Sequence, residues 1–256
     1  MTRSKFVSLA VVLTAAGSAV AGQVELRVTV TSLVPANGIS FAPTRLGFHD
    51  GTFDTFNIGE AATAPIISIA EGGSGSDWFP FFASQQPNGT AGSVGGGPLL
   101  PGATATNTFL VDPSVNRFFS FGAMAVPSND YFVGNDAPNA YELFDINGNL
   151  TITNISQFAD DIWDAGSETE DPANAAFVVG GVNSQRVPEN GVVTFDFAGL
   201  ESTFNGLTTA AGYVLNSQLA SGQEVYRISF EIVPAPGAVA AFGVLGLAGL
   251  RRRRSN

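Results

Sequence analysis

Apolar residues recur at every second position along several stretches of this 256-residue chain. Successive side chains of a strand point to opposite faces, so this period is typical of strands with one buried face. The sets are Val24, Leu26, Val28 and Val30 in residues 23–31; Tyr226, Ile228, Phe230 and Ile232 in residues 224–232; and Val193, Phe195 and Phe197. Further strand-like runs cover residues 104–111, 117–126 and 149–155.

Clusters of Gly, Pro and Asn separate these runs, as expected for turns between strands. Helix is predicted only in short pieces such as residues 61–71, where Ile66, Ile67 and Ala70 would face inward. No internal repeat or long linker divides the chain. We therefore predict an all-β fold, an antiparallel β-sandwich with short helical pieces, as one domain over residues 22–232.

The chain has no cysteine and a single histidine, His49, which excludes several kinds of chemistry. Disulfide scaffolds, thiolate zinc sites, iron–sulfur clusters and cysteine nucleophiles all need cysteine. Between residues 22 and 236, 22 acids stand against five arginines and no lysine, a formal net charge of −17. A surface this acidic repels nucleic acid, which is excluded as a partner, and suits a divalent cation.

The N-terminus has the three-part layout of a secretory signal peptide, predicted over residues 1–21. Arg3 and Lys5 precede an apolar run over residues 6–16, and Ala19-Val20-Ala21 offers a small-residue cleavage site. The apolar run is shorter than the ~20 residues that a membrane-spanning helix needs. We therefore expect the protein to be exported across the inner membrane.

The C-terminus combines a Pro-containing tetrapeptide, an apolar segment and four arginines. Val233-Pro234-Ala235-Pro236 is followed by apolar residues 237–250 and then by Arg251 to Arg254. This arrangement resembles the PEP-CTERM sorting signal, with VPAP in place of the usual VPEP. The resemblance implies a signal over residues 233–256, transient membrane contact through residues 237–250, and cleavage by an exosortase-type processing enzyme. The expected destination is the cell surface or extracellular matrix.

Two segments with acidic residues are of interest, one with a single acid and one with six. Asp130 lies in PSNDYFVG, after a strand-like run, and the twelve residues DDIWDAGSETED hold six acids. Those six are Asp160, Asp161, Asp164, Glu168, Glu170 and Asp171. Carboxylates this close repel one another, and a proton or a hard cation such as Ca²⁺ relieves the repulsion. Charge density alone leaves both a solvated acidic loop and a calcium site open.

Several motifs together resemble the spondin N-terminal domain in its bacterial secreted form, from about Val24 to Ile232. They are PANGISFAP, HDGTFDTFNIGEAA, GGGPLLPGATAT, AMAVPSNDYFVGND and DIWDAGSETED. PSNDYFVG and DAGSE are the most specific, because they resemble the family motifs S-P-D-W-x-V-G and D-A-G-T-D. The resemblance implies an antiparallel β-sandwich of the calcium-dependent lipid-binding type.

The resemblance also implies one calcium ion, held by the acid of the first motif and two acids of the second. By position these metal ligands are Asp130, Asp164 and Glu168. Glu168 departs from the family, which has Asp there, although calcium accepts either carboxylate.

Other motifs carry weaker signals. Asp145-Ile146-Asn147-Gly148-Asn149 begins like an EF-hand loop, but it has Leu150 where the loop needs glycine and Ser156 where it needs glutamate. An Asn-Gly turn is the better interpretation. His49-Asp50-Gly51 could suggest a base-catalytic pair, but the chain has no G-x-S-x-G nucleophile elbow, so we expect a structural turn.

The predicted function is an exported, surface-sorted, calcium-binding domain with an adhesion or extracellular matrix and biofilm role. We expect no catalysis, and a partner that is an extracellular polysaccharide or a surface protein. The two acidic loops, together with Tyr131, Phe132 and Trp163 adjacent to the acids in sequence, are the expected contact surface. One alternative is an exported carboxylate-dependent hydrolase acting on an extracellular polymer. Another is a purely structural sandwich whose acids keep it soluble.

Overall fold

The computed structural model describes residues 22–234. The predicted signal peptide and all but the first two residues of the predicted sorting signal lie outside this range. Gln23–Val233 forms one compact unit. Among residues 22–234, no helix has the length and apolarity that a membrane crossing requires.

Most of the regular secondary structure in the described part of the chain is β-strand. The strands are β1 (Val24–Ser32), β2 (Ser40–Phe41), β3 (Thr44–His49), β4 (Thr90–Val94), β5 (Thr104–Val111), β6 (Phe118–Val126), β7 (Tyr131–Gly134), β8 (Asn154–Phe158), β9 (Trp163–Asp164), β10 (Thr194–Phe195) and β11 (Glu224–Ile232). The α-helices are α1 (Ala64–Gly72), α2 (Trp78–Gln85) and α3 (Phe197–Phe204), and 3₁₀ turns cover Ala159–Asp161 and Asn183–Gln185.

These strands form two antiparallel sheets. The smaller has the order β5–β1–β11–β8, and the larger has the order β10–β9–β7–β6–β3–β4, with β2 paired to β6. The main hydrophobic core draws buried side chains from both sheets, and Phe119 of β6 meets Phe230 of β11 edge to face. The prediction of an all-β antiparallel sandwich with short helices is confirmed.

The period-two pattern predicted the two central strands of the smaller sheet correctly. β1 buries Leu26, Val28 and Val30, and β11 buries Ile228 and Phe230. The two strands pair along most of their length, from Leu26↔Ile232 to Ser32↔Tyr226. The N–H of Val233 also donates to the Glu25 carbonyl, so both ends of the compact unit lie side by side.

Other predicted elements differ from the structure. Residues 104–111 and 117–126 match β5 and β6 closely, whereas the run at 149–155 is displaced to β8, Asn154–Phe158. The third alternating set ends early because Phe197 begins α3, where the Asp196 side chain caps the helix by accepting the N–H of Gly199. The predicted helix at 61–71 is α1, which buries Ile66, Ile69 and Ala70 and leaves Ile67 half-buried.

A second hydrophobic cluster lies on the other face of the larger sheet. Helices α1 and α2 cover that face with Ile66, Ile69, Trp78 and Phe82, which pack against aromatic residues including Phe132 and Trp163. Helix α2 approaches β3 so closely that a Cβ on Gly47 would lie 2.1 Å from the Phe82 ring. The larger sheet is therefore buried on both faces at its centre.

Candidate metal centre

The structure brings the two acidic segments together. β7 and β9 pair antiparallel, with Tyr131 opposite Asp164 and Phe132 opposite Trp163. The carbonyl of Asp130 also accepts the N–H of Ala165 at 3.2 Å. Backbone pairing thus brings the two segments that carry the three predicted ligands into contact.

Asp130 is fully buried, and only one of its two carboxylate oxygens is hydrogen-bonded within the described chain. Its Oδ2 accepts the backbone N–H groups of Ser167 at 2.6 Å and Glu168 at 2.9 Å, and lies 3.1 Å from the Ser167 hydroxyl. Its Oδ1 is also inaccessible to solvent and has no hydrogen-bond partner among the described residues. Because buried polar atoms are nearly always paired, this carboxylate oxygen calls for a partner, which can be a proton, a water molecule or a cation.

Glu168 repeats this arrangement. The side chain is only 2% exposed, and its Oε1 accepts the Nδ2 of Asn129 at 2.8 Å. Its Oε2 is buried and has no partner within residues 22–234. Asn129 therefore fixes one side of the carboxylate and leaves the other free to bind a cation.

Glu170 belongs to the same cluster, although it was not among the predicted ligands. Both of its carboxylate oxygens are inaccessible, and neither is paired in the part of the chain that the structure describes. The N–H of Thr169 donates to the Val187 carbonyl, and Thr169 is exposed while Glu168 and Glu170 are shielded. Residues two apart in extended backbone share a face, and this spacing was the sequence signal for Glu170.

Asp164 lies at the more open side of the cluster. Its Oδ1 accepts the N–H of Gly166 at 2.7 Å, and its strand lies between β7 and β10. Gly166 has a φ of +61°, and a Cβ there would lie 2.7 Å from the nitrogen of Val192. Only glycine fits this turn without strain, so it fixes the path of the loop from Asp164 to Glu168.

The carboxylates shift one another's proton affinity. Burial, assisted by the charge of Asp164, raises the pKa of Asp130 to about 6. Burial also raises the pKa of Glu168 to about 7 and that of Glu170 to about 8, with the neighbouring acids adding to the shift at Glu170. The pKa of Asp164 is raised by burial and then by Asp196. A proton or a cation is therefore needed to compensate this negative charge.

The remaining acids of the second segment have structural partners. Asp160 accepts the Ser221 hydroxyl and the N–H of Gly222, and Asp161 accepts the N–H of Phe158. Asp171 accepts the N–H of Ala173. Asp161 and Asp171 cap local turns, whereas Asp160 binds a turn that is distant in sequence, and the oxygens of these acids are not among the unpaired ones.

The predicted place of three aromatic side chains in the contact surface is wrong. Tyr131, Phe132 and Trp163 are 1%, 0% and 6% exposed, respectively. Tyr131 packs in the main core, while Phe132 and Trp163 belong to the second cluster under the helices. These side chains anchor the acidic segments in the protein interior, and they are too deeply buried to contact a polymer.

The two weaker motifs are turns, as predicted. Asp145 accepts the N–H groups of Asn147 and Asn149 and closes an exposed Asn-Gly turn. His49 is buried, and its Nδ1 accepts the N–H of Gly51 at 3.0 Å, so the Nε2 carries the proton and faces the Ser120 hydroxyl. The buried ring closes the turn that follows β3, in which Asp50 and Thr52 are exposed.

The donor chemistry of the cluster suits a hard cation. Asp130, Glu168 and Glu170 each offer at least one buried unpaired carboxylate oxygen, and such oxygens are the preferred ligands of Ca²⁺. As the side chains stand, no group of three or more acidic or histidine residues in the described range converges on one metal position. A bound ion would need rotation of these side chains, and calcium accepts backbone carbonyl and water oxygens to complete its shell.

No protein-family model matches this chain, and no curated protein is significantly similar to it. The spondin and PEP-CTERM resemblances therefore remain predictions from sequence motifs.

Proposed function

We propose that this protein is an exported calcium-binding β-sandwich with a non-catalytic role in adhesion or the extracellular matrix. The observation that carries the calcium site is the set of four buried, unpaired carboxylate oxygens on Asp130, Glu168 and Glu170. They lie where the two predicted motif segments meet, and burial raises the pKa of all three groups. The ligand set is then Asp130, Asp164 and Glu168, as predicted, together with Glu170.

Calcium would hold the two acidic segments together. Asp130 follows β6, whereas Asp164, Glu168 and Glu170 belong to the segment that begins at β9. A divalent ion shared by these carboxylates would offset their mutual repulsion and fix the second segment onto the first. The loop that follows, through Val187 and Pro188, pairs with Thr169 and Glu168 and would be ordered with it.

Export and surface attachment rest on the terminal sequences. The predicted signal peptide at residues 1–21 and the VPAP-containing segment at 233–256 support delivery to the cell surface by an exosortase-type enzyme. The body's net charge of −17 makes a partner without strong negative charge the better fit. An extracellular polysaccharide or a surface protein meets that condition.

A carboxylate-dependent hydrolase is the second candidate, and one observation favours it. The raised pKa values of Asp130, Glu168 and Glu170 are typical of groups that act as general acids near neutral pH. However, Asp130 and Glu168 are buried, so a polymer could reach them only after the loops opened. Burial therefore supports ion binding over hydrolysis.

Thermal unfolding of the purified chain in excess calcium, and then in chelator, tests the proposal. A ligand present at ~100 times its dissociation constant adds about 2.7 kcal/mol to the free energy of unfolding. We expect Tm to rise by more than about 5 °C, given ~2–4 °C per kcal/mol for a domain of this size. Magnesium, which dehydrates reluctantly, should give a smaller shift. An identical Tm in calcium and in chelator would contradict the calcium proposal. The buried acids would then be protonated core residues.

A further inference from the structure

A cleft of about 340 Å³ lies beside the candidate metal centre. It is lined by Asp160, Phe195, Asp196, Phe197 and Ala198, at the point where β10 ends and α3 begins. Asp196 connects the two regions, because its Oδ2 lies 3.4 Å from the Tyr131 hydroxyl and its charge raises the pKa of Asp164. The cleft is therefore held by the same segments that hold the acidic cluster.

Phe195 forms an exposed aromatic surface in this cleft. The side chain is 46% exposed, although phenylalanine usually lies inside a fold. Its ring packs on the buried indole of Trp163, with the ring centroids 3.7 Å apart and the planes inclined by 31°. Phe195 is thus supported from one side, and nearly half of its surface remains open to a ligand.

The polar groups of the cleft are hydrogen-bond acceptors. Asp160 is held by Ser221 and Gly222, and Asp196 by the N–H of Gly199, so both carboxylates have fixed positions. A carboxylate offers about four lone-pair sites and keeps some free after these contacts. Within residues 22–234, the lining includes no basic side chain. Charge complementarity thus selects a partner that donates hydrogen bonds and carries no negative charge.

The size of the cleft favours a small chemical unit. Its volume lies at the lower end of the ~300–1,000 Å³ that is typical of small-molecule sites. A stable protein interface, by contrast, buries about 800 Å² on each partner. A neutral sugar ring fits these limits, because it has an apolar face for stacking and hydroxyl groups that donate.

We infer that this cleft binds a neutral sugar unit of an extracellular polysaccharide. The ring would stack on Phe195, and its hydroxyls would donate to Asp160 and Asp196. This inference rests on the proposed adhesion role and deepens it by naming the partner's chemistry and the surface that receives it. Anionic polymers and nucleic acid are excluded by the carboxylates.

Affinity electrophoresis and pull-down of the purified chain test the inference. The neutral probes are dextran, galactomannan, cellulose and chitin; alginate is the anionic probe and poly-L-lysine the basic one. Phe195→Ala removes the stacking ring, and Ala198→Arg fills the cleft from an exposed helix position. Leu110→Ala is the control, because Leu110 is an exposed apolar residue on β5, in the other sheet.

We expect the parent and L110A to bind at least one neutral polysaccharide, and F195A and A198R to bind it at least about tenfold more weakly. That loss corresponds to about 1.4 kcal/mol. Binding to none of the neutral probes, or equal binding by all variants, would overturn the inference. If the parent bound only poly-L-lysine and A198R lost that binding, the partner of the cleft would be a basic protein segment and not a sugar. The calcium-dependent Tm shift of A198R should equal that of the parent, so failure of sugar binding is separable from failure of the calcium proposal.

Discussion

The carboxylate of Asp130 accepts the backbone N–H of Glu168 at 2.9 Å, so the acid of one segment is fixed by the main chain of the other. This bond uses one oxygen of Asp130 and leaves the other buried and unpaired. Glu168, in turn, is held by Asn129, the residue before Asp130. Each carboxylate is therefore oriented by the opposite segment while keeping an oxygen for a ligand.

Glu170→Gln should stabilise the metal-free protein and remove much of its response to calcium. The substitution removes a buried charge that Asp130, Asp164 and Glu168 repel, so Tm in chelator at pH 8 should rise by roughly 2–4 °C per kcal/mol of repulsion removed. Glu25→Gln, at an exposed position of β1, is the matched control and should change neither value. If E170Q retained the full calcium shift, Glu170 would not be a ligand.

The stability of the metal-free protein should fall as pH rises from 6.5 to 8.5. The folded-state pKa values of Asp130, Glu168 and Glu170 are about 6, 7 and 8, above their unfolded values, so the folded state binds more protons and loses stability as they dissociate. Burial lowers the pKa of His49 to about 4, and this makes a contribution of opposite sign that acts mainly below about pH 7. Urea titrations in chelator at several pH values measure this. A flat profile would mean that the acids are solvated.

Two substitutions at Asp130 separate its structural and its ligand roles. Asp130→Asn keeps an oxygen that can accept the N–H groups of Ser167 and Glu168, so the fold should persist while calcium stabilisation is lost. Asp130→Ala leaves both donors buried and unpaired, at about 1–3 kcal/mol each. Urea unfolding should show D130A to be much the less stable of the two. Equal stability would show that the two backbone bonds contribute little.

Arg186→Ala should loosen the loop that follows the acidic segment. Arg186 pairs with the buried Glu71 of α1 at 2.6 Å, and Asn183 donates to the carbonyl of the same residue. Because Glu71 would keep a poorly solvated charge, we expect a loss of about 1–2 kcal/mol in urea unfolding and faster proteolysis of the loop. Arg27→Ala, which breaks an exposed pair with Glu231, should lose less than about 1 kcal/mol. If R186A and R27A lost similar amounts of unfolding free energy, the Arg186–Glu71 pair would contribute no more than an exposed ion pair.

Sequence patterning predicted the strands that bury one face, as well as the long apolar strand β6, but it missed the shorter strand β3, whose two faces are both buried. β1 and β11 alternate cleanly because one side of each meets the core. β3 was missed because α2 covers its second face, so Leu46, Gly47 and Phe48 are all buried and show no alternation. Phe132 and Trp163 were misplaced at the surface for the same reason, whereas Tyr131 is buried in the main core between the sheets. Coverage by a distant helix is a tertiary property that the local pattern does not contain.

The sequence predicted which two segments form the candidate site, but it did not predict all of the acids that belong to it. The motif resemblance of PSNDYFVG and DAGSE, together with the acids of DAGSETED, indicated which two loops matter, and the β7–β9 pairing brings them together. Which acids keep unpaired oxygens depends on partners far away in sequence, such as Asn129 for Glu168. Asp161 and Asp171, equally acidic in sequence, are instead satisfied by local N–H groups.

The place of β11 in its sheet determines how the domain would bear mechanical force. The chain leaves β11 at Ile232 toward the C-terminal segment, and this strand is hydrogen-bonded on one side to β1 and on the other to β8. Tension applied through residue 234 acts along the strand, so many backbone hydrogen bonds are loaded together in shear. A terminal strand at a sheet edge would instead be peeled away bond by bond. A pull through the C-terminal end would thus be resisted by a strand that is paired on both sides.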